Sequence, residues 1–136
     1  MVVQESLAVV RPGCLDEEAR QAYAKAFDAR RDTTGGLGSM DAALDGARLF
    51  EVVLAGQVVA RYALKSAQRA IGSEVYVVAA AGGIPGACLV QTMEPYIVQQ
   101  CQGADRLTIN TRRRGLVKKM LRQGWTLDAY VMRKKL

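Results

Sequence analysis

The chain has 136 residues, a length that buries one core well and two poorly, so a single domain over 1–136 is expected. Half of its residues are apolar and 24% are charged, the balance of a folded protein; it has no histidine, which excludes Ser-His-Asp and Cys-His nucleophile systems and the commonest general base. The net charge of +6 is unevenly laid, with 9 Lys and Arg against 12 Asp and Glu over residues 1–105 and 10 against 1 over residues 106–136, or −3 and +9.

In chain order, Ser6 to Val10 reads as a short buried strand closed by the turn chemistry of Arg11-Pro12-Gly13. From Leu15 to Arg30, apolar residues recur at three- and four-residue spacing, with Asp16, Glu17 and Glu18 in the first turn, which predicts a helix. Thr33 to Gly38 is a glycine-rich loop expected to be mobile, and Ser39 then caps a short helix through about Gly46. Leu49 to Leu54 and Val58 to Leu64 form a predicted β-hairpin around Ala55-Gly56-Gln57, followed by a polar connection from Lys65 to Gly72. Glu74 to Ala81 is nearly all apolar and reads as a central strand covered on both faces.

After a Gly/Pro loop, Ala87 to Gly103 has a helical pattern interrupted by Pro95. One reading is a kinked helix; the other has Ala87 to Met93 extended and Pro95 opening a shorter helix. The kinked helix is favoured because the following strand, Arg106 to Asn110, needs a crossover. Arg113 to Arg122 is a helix with Leu116, Val117, Met120 and Leu121 inward, Gly124 is its stop, and Trp125 to Met132 is a last strand, with Trp125 in the core.

Cys14, Cys88 and Cys101 form no Cys-x-x-Cys pair, so neither a disulfide framework nor a metal site is expected, and a reducing cytoplasm fits best. With apolar neighbours and no histidine to make thiolates of them, Cys88 and Cys101 read as core residues. The 19 uncharged residues between Glu74 and Glu94 are interrupted by Gly82, Gly83, Pro85 and Gly86, which argues against a membrane span; no secretory signal is visible at the N-terminus. Arg112, Arg113, Arg114, Lys118, Lys119 and Arg122 offer a basic face for nucleic acid or an acidic protein, or simply a solvated surface.

The order strand, Gly loop, helix, strand, helix, Gly-aromatic, strand resembles the Gcn5-related N-acetyltransferase (GNAT) superfamily over residues 49–136. Gly103-Ala104-Asp105-Arg106-Leu107, Gln123-Gly124-Trp125 and the ending Ala129 to Leu136 carry the likeness, and Leu7 to Pro12 is similar to the family's opening strand. The resemblance implies an α/β (α+β) fold with a GNAT-like central mixed β-sheet flanked by helices. It also implies acetyl-CoA as cofactor, without a metal. The pantetheine arm would lie along Val77, Val78 and Ala80, and the pyrophosphate against Gly83, Gly86, Ala87 and Cys88, where a helix N-terminus suits an anion.

Two departures bear on activity. The family's phosphate loop runs Gln/Arg-x-x-Gly-x-Gly/Ala, and aligning Gly86 on its first glycine leaves Gly83 and Cys88 at the other two marks. The general-acid tyrosine, four residues before the Gly-aromatic pair, is Met120, whose thioether has no proton to donate. Glu51 and Glu74 remain as candidate bases, each needing burial to raise its pKa toward neutral. The reading preferred on these grounds is a non-catalytic protein of this fold, such as a bacteriophage virion or assembly component, working through a protein partner or as a homo-oligomer. The alternative is an active N-acetyltransferase moving an acetyl group from acetyl-CoA to an amine.

Overall fold

The computed structural model describes residues 8–83 and 89–136, without the side chains of residues 89–91. Among the described residues five strands form one sheet in sequence order: β1 (Val9–Pro12), β2 (Arg48–Leu54), β3 (Gln57–Gln68), β4 (Ser73–Gly82) and β5 (Arg106–Thr108). Neighbours are antiparallel from β1 to β4, and β5 joins β4 in parallel. That reversal requires the crossover helix α3 (Leu89–Gln100), so the helical reading of the Pro95 segment holds, with Pro95 inside the helix.

Helix α1 (Glu17–Ala24) starts two residues later than expected, because Asp16, read as part of its first turn, caps it instead, the carboxylate accepting from the Ala19 amide at 2.8 Å. It stops sooner than its charge pattern predicted, in a single 3₁₀ turn at Lys25–Phe27. The cause is local: the Asp28 carboxylate accepts from the amides of Arg30 and Arg31 at 3.1 and 3.0 Å, turning the backbone away from the helix. The glycine-rich loop is likewise organised, because Asp32 accepts from the Thr34 amide, the Thr34 hydroxyl and the Gly36 amide; those donors hold its carboxyl below the usual range. Ser39 caps α2 (Met40–Leu44) through the Ala42 amide.

The β2–β3 hairpin closes on a two-residue turn, Ala55-Gly56, both at positive φ (52° and 77°), the conformation that matches strand twist. Strand β3 runs four residues past the predicted hairpin. Lys65 to Gln68, polar enough to read as a connection, pair with Ser73–Tyr76, since ladder hydrogen bonds are indifferent to side-chain polarity at a half-exposed edge.

Two apolar clusters cover the sheet. On one face Val52, Tyr62, Leu64, Val75 and Met93 of α3 are buried; on the other Ala63 and Ala79 pack against Ala19 and Tyr23 of α1 and Leu44 of α2. Cys101 is packed against the first, and burial raises its thiol pKa, as expected of a core residue.

Helix α4 (Arg114–Arg122) ends at Gly124 through bonds from the Gly124 amide to Leu121 and the Trp125 amide to Met120. Met120 is buried, but Leu121, expected to face inward, is 47% exposed. The predicted last strand does not form: residues 125–136 join no ladder, because a cleft separates them from the outer edge of β5. No described helix is long and apolar enough to cross a membrane.

Candidate functional site at the parting of β4 and β5

Strands β4 and β5 share only three residue pairs, Glu74 with Arg106, Val75 with Leu107 and Tyr76 with Thr108. β4 continues for six residues beyond Tyr76 while pairing only with β3. A register shift accompanies the parting: Leu64 faces Val77 and Ala63 faces Ala79, leaving Val78 as the extra residue of a β-bulge. Bulges bend the strand that carries them and increase its twist, which accounts for β4 turning away from β5 at this point.

The bulge also sorts the residues expected to line a cofactor arm. Val77 packs on the α3 face, Val78 on the α1 face, and Ala80 is exposed opposite Tyr62. At the end of the strand, Gly82 lies against β3 so closely that a Cβ would meet the Val59 carbonyl oxygen, and φ is +87°. The Gly83 amide donates to that carbonyl at 3.0 Å, so it has no N–H free for a phosphate. Gly86, Ala87 and Cys88 lie outside the described residues.

The two candidate bases lie in different surroundings. Glu51, on β2, stands in a row across the sheet between Arg11 of β1 and Arg61 of β3, and accepts from Arg11 Nε at 2.9 Å. Arg61 is buried, with a guanidinium nitrogen 3.3 Å from Glu18 of α1. Glu74, on β4, accepts from the Tyr76 hydroxyl at 2.6 Å, from Arg69 Nε and Nη2 at 2.8 and 2.6 Å, and from the Thr108 hydroxyl at 2.9 Å. Donors to the ionised form lower its pKa to about 2, with the Tyr76 bond foremost. This runs opposite to the shift a base at neutral pH requires. Sequence reasoning missed Arg69, Tyr76 and Thr108; only Tyr76, two residues along the same strand and so on the same face as Glu74, was legible beforehand.

Beside this network lies a cleft of about 700 Å³ bordered by Glu74 and Tyr76, β5 and its continuation to Thr111, Glu94 and Val98 of α3, Val117, Met120 and Leu121 of α4, and residues 123–129. Trp125, expected in the core, is instead half-buried at this cleft, where its indole N–H donates to Glu94. Arg112 reaches back to the carbonyls of Ala29 and Asp32 at 3.0 and 3.3 Å, while Arg113, Arg114, Lys118, Lys119 and Arg122 are exposed. No group of three potential metal ligands occurs among the described residues.

No protein-family model and no curated sequence matches the chain. Solved structures do. A possible acetyltransferase from Clostridium difficile 630 superposes with a TM-score of 0.63 at 14% identity, covering 96% of this chain and 98% of its own. An aminoglycoside acetyltransferase from an uncultured soil metagenomic sample gives 0.56 at 14%, covering 95% and 97%. A GNAT family acetyltransferase of Staphylococcus aureus subsp. aureus USA300_TCH1516 gives 0.56 at 10%, covering 95% and 98%. At such identities the likeness is one of fold: the chain has the GNAT acetyltransferase architecture, a mixed five-stranded sheet flanked by helices.

Proposed function

We propose that this protein keeps the acetyltransferase fold without its chemistry and works through protein contacts, as a structural or assembly component of a bacteriophage particle would. The observation that carries this reading is the state of the proton-handling positions. Met120, the position to which the sequence resemblance assigns a tyrosine, is buried, and Glu74, at the start of the parted strand, is saturated by donors that keep it ionised down to a pKa of about 2. Glu51 is held by Arg11. Deprotonating an ammonium needs a base with a pKa near the working pH, and Glu74 is far from it.

A second reading, an active N-acetyltransferase, is favoured by one specific observation: beyond Tyr76 the β5-facing edge of β4 has no ladder partner among the described residues. Free N–H and C=O groups along Val77 to Ala80 suit an extended, amide-bearing chain such as the pantetheine arm of acetyl-CoA. Gly86, Ala87 and Cys88 would then meet the pyrophosphate, and Glu51 would act on the amine through water. In that case backbone amides would polarise the thioester carbonyl, and the amine nitrogen, its proton passed through water to Glu51, would bond to the acetyl carbon while the C–S bond breaks and the thiolate leaves to take up a proton.

Titration of the purified protein with acetyl-CoA by calorimetry, at low and high salt, separates the two. The non-catalytic reading expects no heat and no thermal shift at millimolar ligand. Micromolar binding that weakens in Gly86→Asp, which sets a carboxylate against a pyrophosphate, together with turnover of an amine, would overturn it.

A further inference from the structure

Basic residues from two distant stretches of the chain meet on one surface. Arg112 lies two residues before α4, and its guanidinium donates to the Ala29 and Asp32 carbonyls at 3.0 and 3.3 Å, which fastens the start of α4 to the loop after α1. That loop carries Arg30 and Arg31, both exposed. Along α4, Arg114, Lys118 and Arg122 recur at every fourth residue and so share one face, all three exposed, while Val117 and Met120 turn away from solvent. Little on this surface answers the charge. Among the described residues no Lys or Arg beyond residue 105 makes a salt bridge, and Arg30 and Arg31 make none. Asp28 and Asp32 give their carboxylates to amides of their own loop, and Asp128 is the one Asp or Glu after residue 105.

A helix face kept basic for solubility alone would gain most by setting its cations at the C-terminus. α4 instead also opens on Arg113 at its cap and Arg114 in its first turn, with no acidic residue and no side-chain cap there, against the positive end of its own dipole. An anion at that end offsets both the dipole and the guanidinium charges. The approach is open, since a Cβ on Gly115 would meet nothing within 4 Å. Guanidinium groups, which pair bidentately with phosphate, make up most of the surface. From Ile97 to Gly124 the chain has no aromatic residue on which bases of a single strand could stack. We propose that the exposed face of α4 and the Arg30-Arg31 loop together bind the phosphate backbone of double-stranded DNA without regard to sequence. This adds a partner of a different class to the protein-contact reading, and rests neither on that reading nor on whether acetyl-CoA binds.

Fluorescence anisotropy of a labelled mixed-sequence DNA duplex of about 30 base pairs, between about 50 and about 200 mM salt, tests this. The expected dissociation constant is about 1–100 μM near physiological salt, and its logarithm should change with that of salt concentration with a slope of about 4, as for roughly five neutralised phosphates. The triple variant Arg114→Ala, Lys118→Ala, Arg122→Ala should weaken binding at least about tenfold and lower the slope by about 2 to 3. Arg30→Ala with Arg31→Ala should lower it by about 1 to 2, although these residues are remote from α4 in sequence. Both variants should keep the circular dichroism of the wild type, because the side chains removed are exposed. Arg20→Ala, which removes a cation already bonded to Asp41, should leave affinity and slope unchanged. No duplex binding at about 50 mM salt and about 100 μM protein, a slope that either variant leaves unchanged, an equal loss in Arg20→Ala, or tighter binding of a single strand of the same length overturns the proposal. Polyglutamate that displaces the duplex at equal charge concentration assigns the surface to an acidic protein and overturns it too. Duplex binding by a protein that also acetylates amines leaves this surface standing and removes the non-catalytic reading. A protein that binds neither duplex nor acetyl-CoA does the reverse.

Discussion

Strands β2, β3 and β4 pair along most of their lengths and carry an apolar cluster on each face, whereas β5 pairs over three residues and nothing after Leu107 belongs to either cluster. The first region buries Val52, Ala63 and Leu64 completely; the second, from Thr108 on, buries only Met120. Net charge divides along nearly the same line, −3 before residue 106 and +9 from it onward. The difference teaches where stability and interaction are separated in this molecule: a region that has satisfied its own backbone and apolar surface holds the shape, and one that has not is available to something else.

One pair of identical truncations tests that division most directly. Leu64→Ala, at a fully buried site under α3, should cost about 2–5 kcal/mol in urea unfolding, the range for cavity-forming changes. Leu121→Ala removes the same atoms from a side chain 47% exposed at the cleft and should cost about 1 kcal/mol or less. Equal costs would show that α4 is as much part of the core as β3. The smallest effect at neutral pH but the most distinctive in its pH dependence belongs to Glu74, on the seam between the regions. Its folded pKa of about 2 lies below the ordinary 4.5, so its stabilising contribution is complete above pH 4.5 and fades as pH falls toward 2. The stability difference between wild type and Glu74→Gln should therefore narrow through that window; a difference that is the same at both ends would mean the Arg69, Tyr76 and Thr108 bonds do not hold the ionised form.

Much of the fold was legible because it is written in local chemistry. Ser39 announced a helix start through a side-chain oxygen three residues from the amide it caps, the acidic run Asp16 to Glu18 announced another within two residues, and Gly124 announced a stop. The all-apolar run from Val75 to Ala81 fixed a central strand, and the crossover that the next strand needs outweighed Pro95, since a helix that loses one donor is a smaller cost than a parallel strand without its connection. The candidate site was less legible. The stretch from Val77 to Ala80 was identified only through a family likeness. Glu74 looked like a carboxylate in search of a role until the register brought Thr108 from 34 residues away beside it.

What the sequence determined by itself was therefore most of the elements, the place of Met120 on the apolar side of its helix, and the lopsided charge, all consequences of residue type and short-range spacing. Only the tertiary structure decided which of those elements find partners. Residues 125–132 have the composition of a strand, yet a strand exists only when a second backbone lies at hydrogen-bonding distance, and the chain leaves a cleft there instead. The bulge at Val78 is of the same kind: one extra residue in a ladder is invisible in a sequence, and it determines where β4 leaves β5.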